Sequence, residues 1–152
     1  MRAIEMAAFI KETDMTKDVL VKVSGVQFDV EDEPIELVTG GTYYLKNGKH
    51  YVLYEEQPEM GGPVIRNIVK FQDGHFEMTK KGGADSFLVF DKGESTSTFF
   101  QTPVGPMKVS VLTHDLLVTE TEEELHVKVN YSLNVNYNYI SECEVNFKVQ
   151  AR

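Results

Sequence analysis

Residues 125–137, read L-H-V-K-V-N-Y-S-L-N-V-N-Y, alternate apolar and polar positions without an error. A period of two over that length predicts a long, half-buried β-strand. Leu125, Val127, Val129, Tyr131, Leu133, Val135 and Tyr137 would face a core, and His126, Lys128, Asn130, Ser132, Asn134 and Asn136 would face water. After a bend at Asn138 the pattern returns over residues 141–149, with Ser141, Cys143, Val145, Phe147 and Val149 on the inner row. The two segments therefore predict a hairpin.

The same reading extends upstream. Residues 17–30 form a first strand, with Val19, Val21 and Val23 on one face and Gly25 marking a bend or bulge. Glu31, Asp32 and Glu33 before Pro34 make a turn. Strands over 35–45 and 49–56 are joined by Asn47-Gly48, a pair suited to the positive φ angles of a two-residue hairpin. Inside the first of these, Gly40-Gly41 predicts the sharp bend that a barrel corner needs. Strands over 64–72 and 75–80 are joined in turn by Asp73-Gly74, and a short strand over 86–90 lies between two glycine-containing turns. A strand over 95–102 follows, Pro103-Val104-Gly105-Pro106 bars a helix, residues 107–119 alternate again, and the acidic run 120–124 is a solvated turn. Residues 1–16, rich in Ala, Met, Glu and Lys, predict a short helix or arm ahead of a single β-domain over 17–150.

Connections this short permit only antiparallel neighbours, so the strands form a meander. Closing a long meander removes its exposed edges. The expected fold is all-β: an antiparallel up-and-down barrel of about eight to ten strands.

Composition then works mainly by exclusion. A chain of 152 residues suits one domain with a core of its own. A formal charge of -9 argues against general nucleic-acid binding, which gathers Lys and Arg to release counterions. The single cysteine, Cys143, falls on an apolar row and reads as a small buried thiol. No apolar run approaches a membrane span, and Glu5 interrupts the N-terminal apolar stretch, so the cytoplasm is the default location.

The order of several short motifs resembles the YwiB-like family, uncharacterised bacterial proteins of a domain of unknown function. They are Thr39-Gly40-Gly41-Thr42-Tyr43-Tyr44-Leu45-Lys46, Tyr51 with Tyr54-Glu55-Glu56, residues 78–82 and 90–93, Thr102-Pro103-Val104-Gly105, Thr113 and Tyr131. The similarity spans about residues 15–149, so the first fourteen look like an extension. The resemblance implies a lipocalin-like, calycin-type barrel and carries no settled activity. The chain departs from the family pattern at Lys80, where an arginine is expected; a lysine offers a point charge in place of a two-pronged fork.

No motif spells out a chemistry. His50, His75, His114 and His126 show no pair at metal-ligand spacing, no pattern calls for a cofactor, and nothing joins Cys143 or a serine to a histidine and a carboxylate. What stands out is charge within otherwise apolar strands: Glu55 or Glu56, Arg66 and Lys80. If Arg66 faced inward it would need a partner, either Glu55 or an anionic ligand, because an unpaired buried cation is too costly; as a surface charge it would need none. Tyr54, Glu55, Arg66 and Lys80, with Tyr131 as a wall, are the candidate ligand-binding residues. The expected function is non-catalytic binding of a small molecule in the barrel interior or mouth. The alternative is a barrel filled by its nine Phe and seven Tyr residues, offering the 55–63 loop or an edge strand to a protein partner. An acid–base enzyme built on Glu, Arg and Tyr in the mouth stands third.

Overall fold

The computed structural model describes residues 17–27, 35–57, 59–83 and 85–152. The expected N-terminal helix or arm and the 31–34 turn lie outside them. Ten strands follow in chain order: β1 (Lys17–Gln27), β2 (Ile35–Lys46), β3 (Lys49–Glu56), β4 (Ile65–Gln72), β5 (His75–Lys81), β6 (Ser86–Asp91), β7 (Ser95–Thr102), β8 (Gly105–Glu120), β9 (Glu124–Val135) and β10 (Asn138–Ala151). They form one antiparallel sheet in the order β6-β5-β4-β3-β2-β1-β10-β9-β8-β7, curled into a nearly closed barrel. Sequential strands pair throughout except at the β6–β7 seam, and β1 pairs with β10. At that seam the Thr96 hydroxyl donates to the Val89 carbonyl. The turn between the two strands is latched to β8 by Gly93 N to Thr113 O at 2.8 Å and Thr113 N to Glu94 O at 3.1 Å.

Local chemistry explains the turns. Asn47 (φ 52°) and Gly48 (φ 76°) both occupy the left-handed region, as a two-residue hairpin turn requires. The β9–β10 turn does the same with Asn136 (φ 50°) and Tyr137 (φ 70°). Tyr137 thus leaves the inner row expected for it and stands in solvent, 82% exposed, and β10 begins at Asn138 where a bend was expected. Gly25 marks no bulge, since it pairs in unbroken register with Val145 and Ile35. The irregularities fall elsewhere, between Thr113 and Asp115 on β8 and between Tyr139 and Ser141 on β10. Gly41 earns its place by contact: a Cβ there would come within 2.8 Å of the Leu53 carbonyl oxygen.

The barrel's middle is packed. Rings from β4 and β5 meet Phe147 of β10 across the interior, with Phe71 and Phe76 edge-on to it at 6.1 and 5.5 Å between centroids. Phe90 of β6 meets Tyr131 of β9 at 4.8 Å. Val19, Val21, Val127 and Val149 complete the same core. Burying each large apolar side chain contributes about 1.5–3 kcal/mol, so this aromatic plug anchors the fold and divides the interior into two ends. One end carries tight turns at Asn47-Gly48, Asp73-Gly74 and 121–123; the other carries the longer β3–β4 and β5–β6 connections.

Candidate functional site

Near the longer connections, three neighbouring strands turn a polar side chain inward. The inner row of β3 is His50, Val52, Tyr54 and Glu56; that of β4 contains Asn67, Val69 and Phe71; that of β5 contains Phe76, Met78 and Lys80. The ladders oppose Tyr54 to Asn67 and Asn67 to Lys80, so these three lie side by side, with Glu56 one step nearer the opening. Lys80 Nζ donates to Asn67 Oδ1 at 2.8 Å and lies 3.3 Å from Glu56 Oε1. The Lys80 and Glu56 side chains are 32% and 20% exposed, so water reaches the ion pair.

Asn67 does not share that access. It is 1% exposed, and its Nδ2 has no hydrogen-bond partner among the described residues. A buried donor left unpaired costs about 1–3 kcal/mol. Beside it, burial and then the Glu56 carboxylate push the Tyr54 hydroxyl well above the usual tyrosine range, so Tyr54 stays neutral. The cluster thus combines an unfilled amide donor, a lysine, a carboxylate and a neutral aromatic wall. It can hold a polar group bearing an oxygen acceptor.

The candidate residues divide. Tyr54 and Lys80 come together here, and Asn67 joins them although sequence reasoning passed over it. Glu55 and Arg66 stand on the outer face, 63% and 79% exposed, with Arg66 Nε 3.6 Å from Glu55 Oε2. Of the two readings of Arg66, the structure has the surface charge: its side chain points outward, and both members of the pair with Glu55 stay in water. Tyr131 does face inward, on β9, paired in register with Cys143 of β10; burial and then Cys143 raise its pKa. A signal for Glu56 and Asn67 was present in the period of two. An inward Tyr54 puts Glu56 inside and Glu55 outside, and an inward Val69 and Phe71 bring Asn67 with them.

Both Tyr54 and Asn67 also line a cleft of about 570 Å³, together with the outward-facing Leu53, Glu55, Arg66 and Ile68. It opens where β2 parts from β3: β2 pairs with β3 only from Gly41 to Lys46, while its earlier residues pair with β1.

Two other clusters carry chemistry-bearing groups. On the outer face, His114 Nε2 lies 2.6 Å from Ser132 Oγ and 3.2 Å from Glu142 Oε1, while Ser132 donates to both Glu142 oxygens at 2.9 and 2.7 Å. Ser132 foremost holds the Glu142 carboxyl below its usual range. One ring nitrogen faces both partners, so the carboxylate does not orient the ring from its far side, as serine activation requires. At the tight-turn end, buried His50 shares a hydrogen bond at Nδ1 with the Tyr43 hydroxyl (2.7 Å) and stacks on Phe71 at 4.8 Å. Burial lowers its pKa to about 4, with Asp73 opposing the shift. Among the described residues no group of three His, Cys, Asp or Glu side chains is placed to hold a metal ion.

The chain is 27% identical over 112 residues to the uncharacterized β-barrel protein YwiB of Bacillus subtilis (strain 168), an alignment covering 74% of this chain and 78% of that protein. The crystal structure of the ywiB protein from Bacillus subtilis shares the fold, with a TM-score of 0.75 and 22% identity over 90% of this chain and 93% of that one. Residues 21–147 match the family model described as Domain of unknown function (DUF1934), and the chain belongs to that family of uncharacterised barrel proteins.

Proposed function

We propose that the protein is a non-catalytic, cytoplasmic binder of a small polar molecule, held at the mouth of the barrel by Asn67, Lys80, Glu56 and Tyr54. The observation that carries this reading is the Asn67 amide, buried with an unfilled donor next to a lysine already bound to the same side chain. A ligand oxygen, from a carbonyl, carboxylate or phosphoryl group, would satisfy Nδ2 and share Lys80 with Glu56. The packed aromatic middle confines such a ligand to the mouth, and Tyr54 supplies an apolar wall. Binding in this reading takes place at the opening, because Phe71, Phe76 and Phe147 fill the deep interior.

Native mass spectrometry of freshly purified protein, followed by denaturing release and identification of anything retained, tests the reading. A stoichiometric small molecule, lost in Asn67→Leu while the variant still folds, is the expected result. A clean unliganded mass, together with no thermal shift against a panel of carboxylates, phosphates and neutral amides, would overturn it.

A further inference from the structure

The parting of β2 from β3 leaves a sheet edge without a neighbour. Lys46 and Lys49 flank the two-residue turn and face each other in register. In a hairpin of this type they exchange both main-chain hydrogen bonds. Counting back by twos, Tyr44, Thr42, Gly40, Val38 and Glu36 direct their N–H and C=O groups to the same side. Tyr44 and Thr42 meet β3 there. Beyond Gly41 the register with β3 ends, so Glu36, Val38 and Gly40 present their main chain to a side on which, among the described residues, no strand pairs.

Exposed edges are ordinarily blunted, because they recruit other strands. This one is not short, bulged or broken by proline. Val38 is 50% exposed on its outer face, and Gly40 has no side chain to keep another backbone away. The 570 Å³ cleft begins at this edge, along Thr39 and Gly40, and is bordered by Leu53 and Ile68. Its charges are mixed: Arg66 lines it together with its ion-pair partner Glu55, while the Arg152 guanidinium reaches Gly40 itself, its Nη1 2.5 Å from where a Cβ would stand.

We infer that this edge is a docking site for an extended peptide segment, which adds a strand beside residues 36–40 and places an acidic side chain against Arg152 at Gly40. Main-chain hydrogen bonds to Glu36, Val38 and Gly40 supply the affinity, and Arg152, the Arg66–Glu55 pair and the Leu53 and Ile68 surface supply the selectivity. The cleft admits one chain, with walls from β3 and β4 on its far side, which favours a peptide over the edge of a second barrel. The inference does not depend on a ligand at Asn67: Tyr54 and Asn67 also line the cleft, but the main-chain groups of β2 and Arg152 that hold the peptide are not members of that cluster.

The test is selection of random linear heptapeptides displayed on phage against the full chain, followed by fluorescence polarisation of the enriched sequences. Val38→Pro removes one edge N–H that faces solvent, a substitution an edge strand tolerates; its thermal unfolding midpoint is checked against the parent. Enrichment of alternating peptides containing Asp or Glu, with affinity at least tenfold weaker in Val38→Pro and in Arg66→Glu, is expected. No enrichment, or peptides that bind Val38→Pro as well as the parent, would overturn the inference. Self-association abolished by Val38→Pro would also overturn it, by making the occupant a second copy.

Discussion

The two ends of the barrel each bury a polar side chain against aromatic rings, and they treat it differently. At the tight-turn end His50 is matched from within: Tyr43 hydrogen-bonds Nδ1 and Phe71 stacks on the ring. At the other end Asn67 is matched by half, its oxygen bound to Lys80 and its nitrogen unpaired. A satisfied buried group specifies a fold, whereas a half-satisfied one is a cost the fold tolerates. The contrast sets an end whose buried histidine is satisfied from within against the end at which we propose binding.

Both ends rest on the plug between them, so its loss has the largest effect. Phe147 touches Phe71, Phe76 and Tyr54 and is fully buried. Phe147→Ala should cost about 3–5 kcal/mol, read from urea unfolding, and should loosen both ends together. Loss of only one end's hydrogen-exchange protection would show that the plug does not join them.

The His50 end should report itself through pH. Its folded pKa is lowered to about 4, and the unfolded histidine titrates near 6.5. As pH falls through about 6.5 the unfolded chain takes up the proton first, so stability declines between there and about pH 4. The loss reaches up to about 3 kcal/mol and is absent above neutrality. Unfolding curves collected across that window check it, and the His50 contribution should vanish in His50→Phe. A curve of unchanged slope in the variant would show that His50 is not the titrating group.

The Asn67 end should separate stability from binding. Lys80→Met leaves both Asn67 Oδ1 and Glu56 without their cation and should cost about 1–3 kcal/mol. Asn67→Leu removes the orphan donor along with its acceptor and should be close to neutral in stability, since Lys80, 32% exposed, keeps Glu56 and can take water in place of the lost amide oxygen. Its loss should appear in ligand retention instead. Equal destabilisation by the two variants would place Asn67 with His50, as a structural group.

These differences also show how far the fold and the site were legible in the chain. The hairpins at Asn47-Gly48 and Asp73-Gly74 and the long alternation of β9 were readable because turn chemistry and period two are local properties. The site was less so. Parity along β3 put Glu56 inside once Tyr54 was inside, but the partner of Lys80 is set by cross-strand register, which no single segment contains. Arg66 looked like the informative cation because it interrupts Val64 and Ile68; the strand simply turns it outward, and inward Asn67 looked unremarkable beside it. The edge at Glu36, Val38 and Gly40 was hinted at by Gly40-Gly41, yet which neighbour is missing depends on where β3 stops following β2.

Tyr137 offers a smaller effect of opposite sign. It occupies the left-handed region at φ 70°, a conformation that costs a residue with a side chain about 1–2 kcal/mol, and most of its ring is in water. Lys108 Nζ, 4.4 Å from the ring centroid, returns part of that. Tyr137→Gly should therefore stabilise the protein by up to about 1 kcal/mol, read as a raised unfolding midpoint. A lower midpoint would mean that the tyrosine ring supports the turn by more than the strain it carries.

The smallest stability effect is expected at Arg66. Its contact with Glu55 is long and lies in solvent, where ion pairs contribute little. Arg66→Ala should change stability by no more than about 0.5 kcal/mol. Retention of the small molecule at Asn67 should also persist, since Arg66 is on the opposite side of the sheet. Peptide binding along β2 should weaken, because Glu55, which lines the same cleft, loses its cation and then repels the acidic position. A variant that loses the small molecule but keeps the peptide would invert the assignment of the two faces, and Arg66 would then act through the wall on the Asn67 cluster behind it.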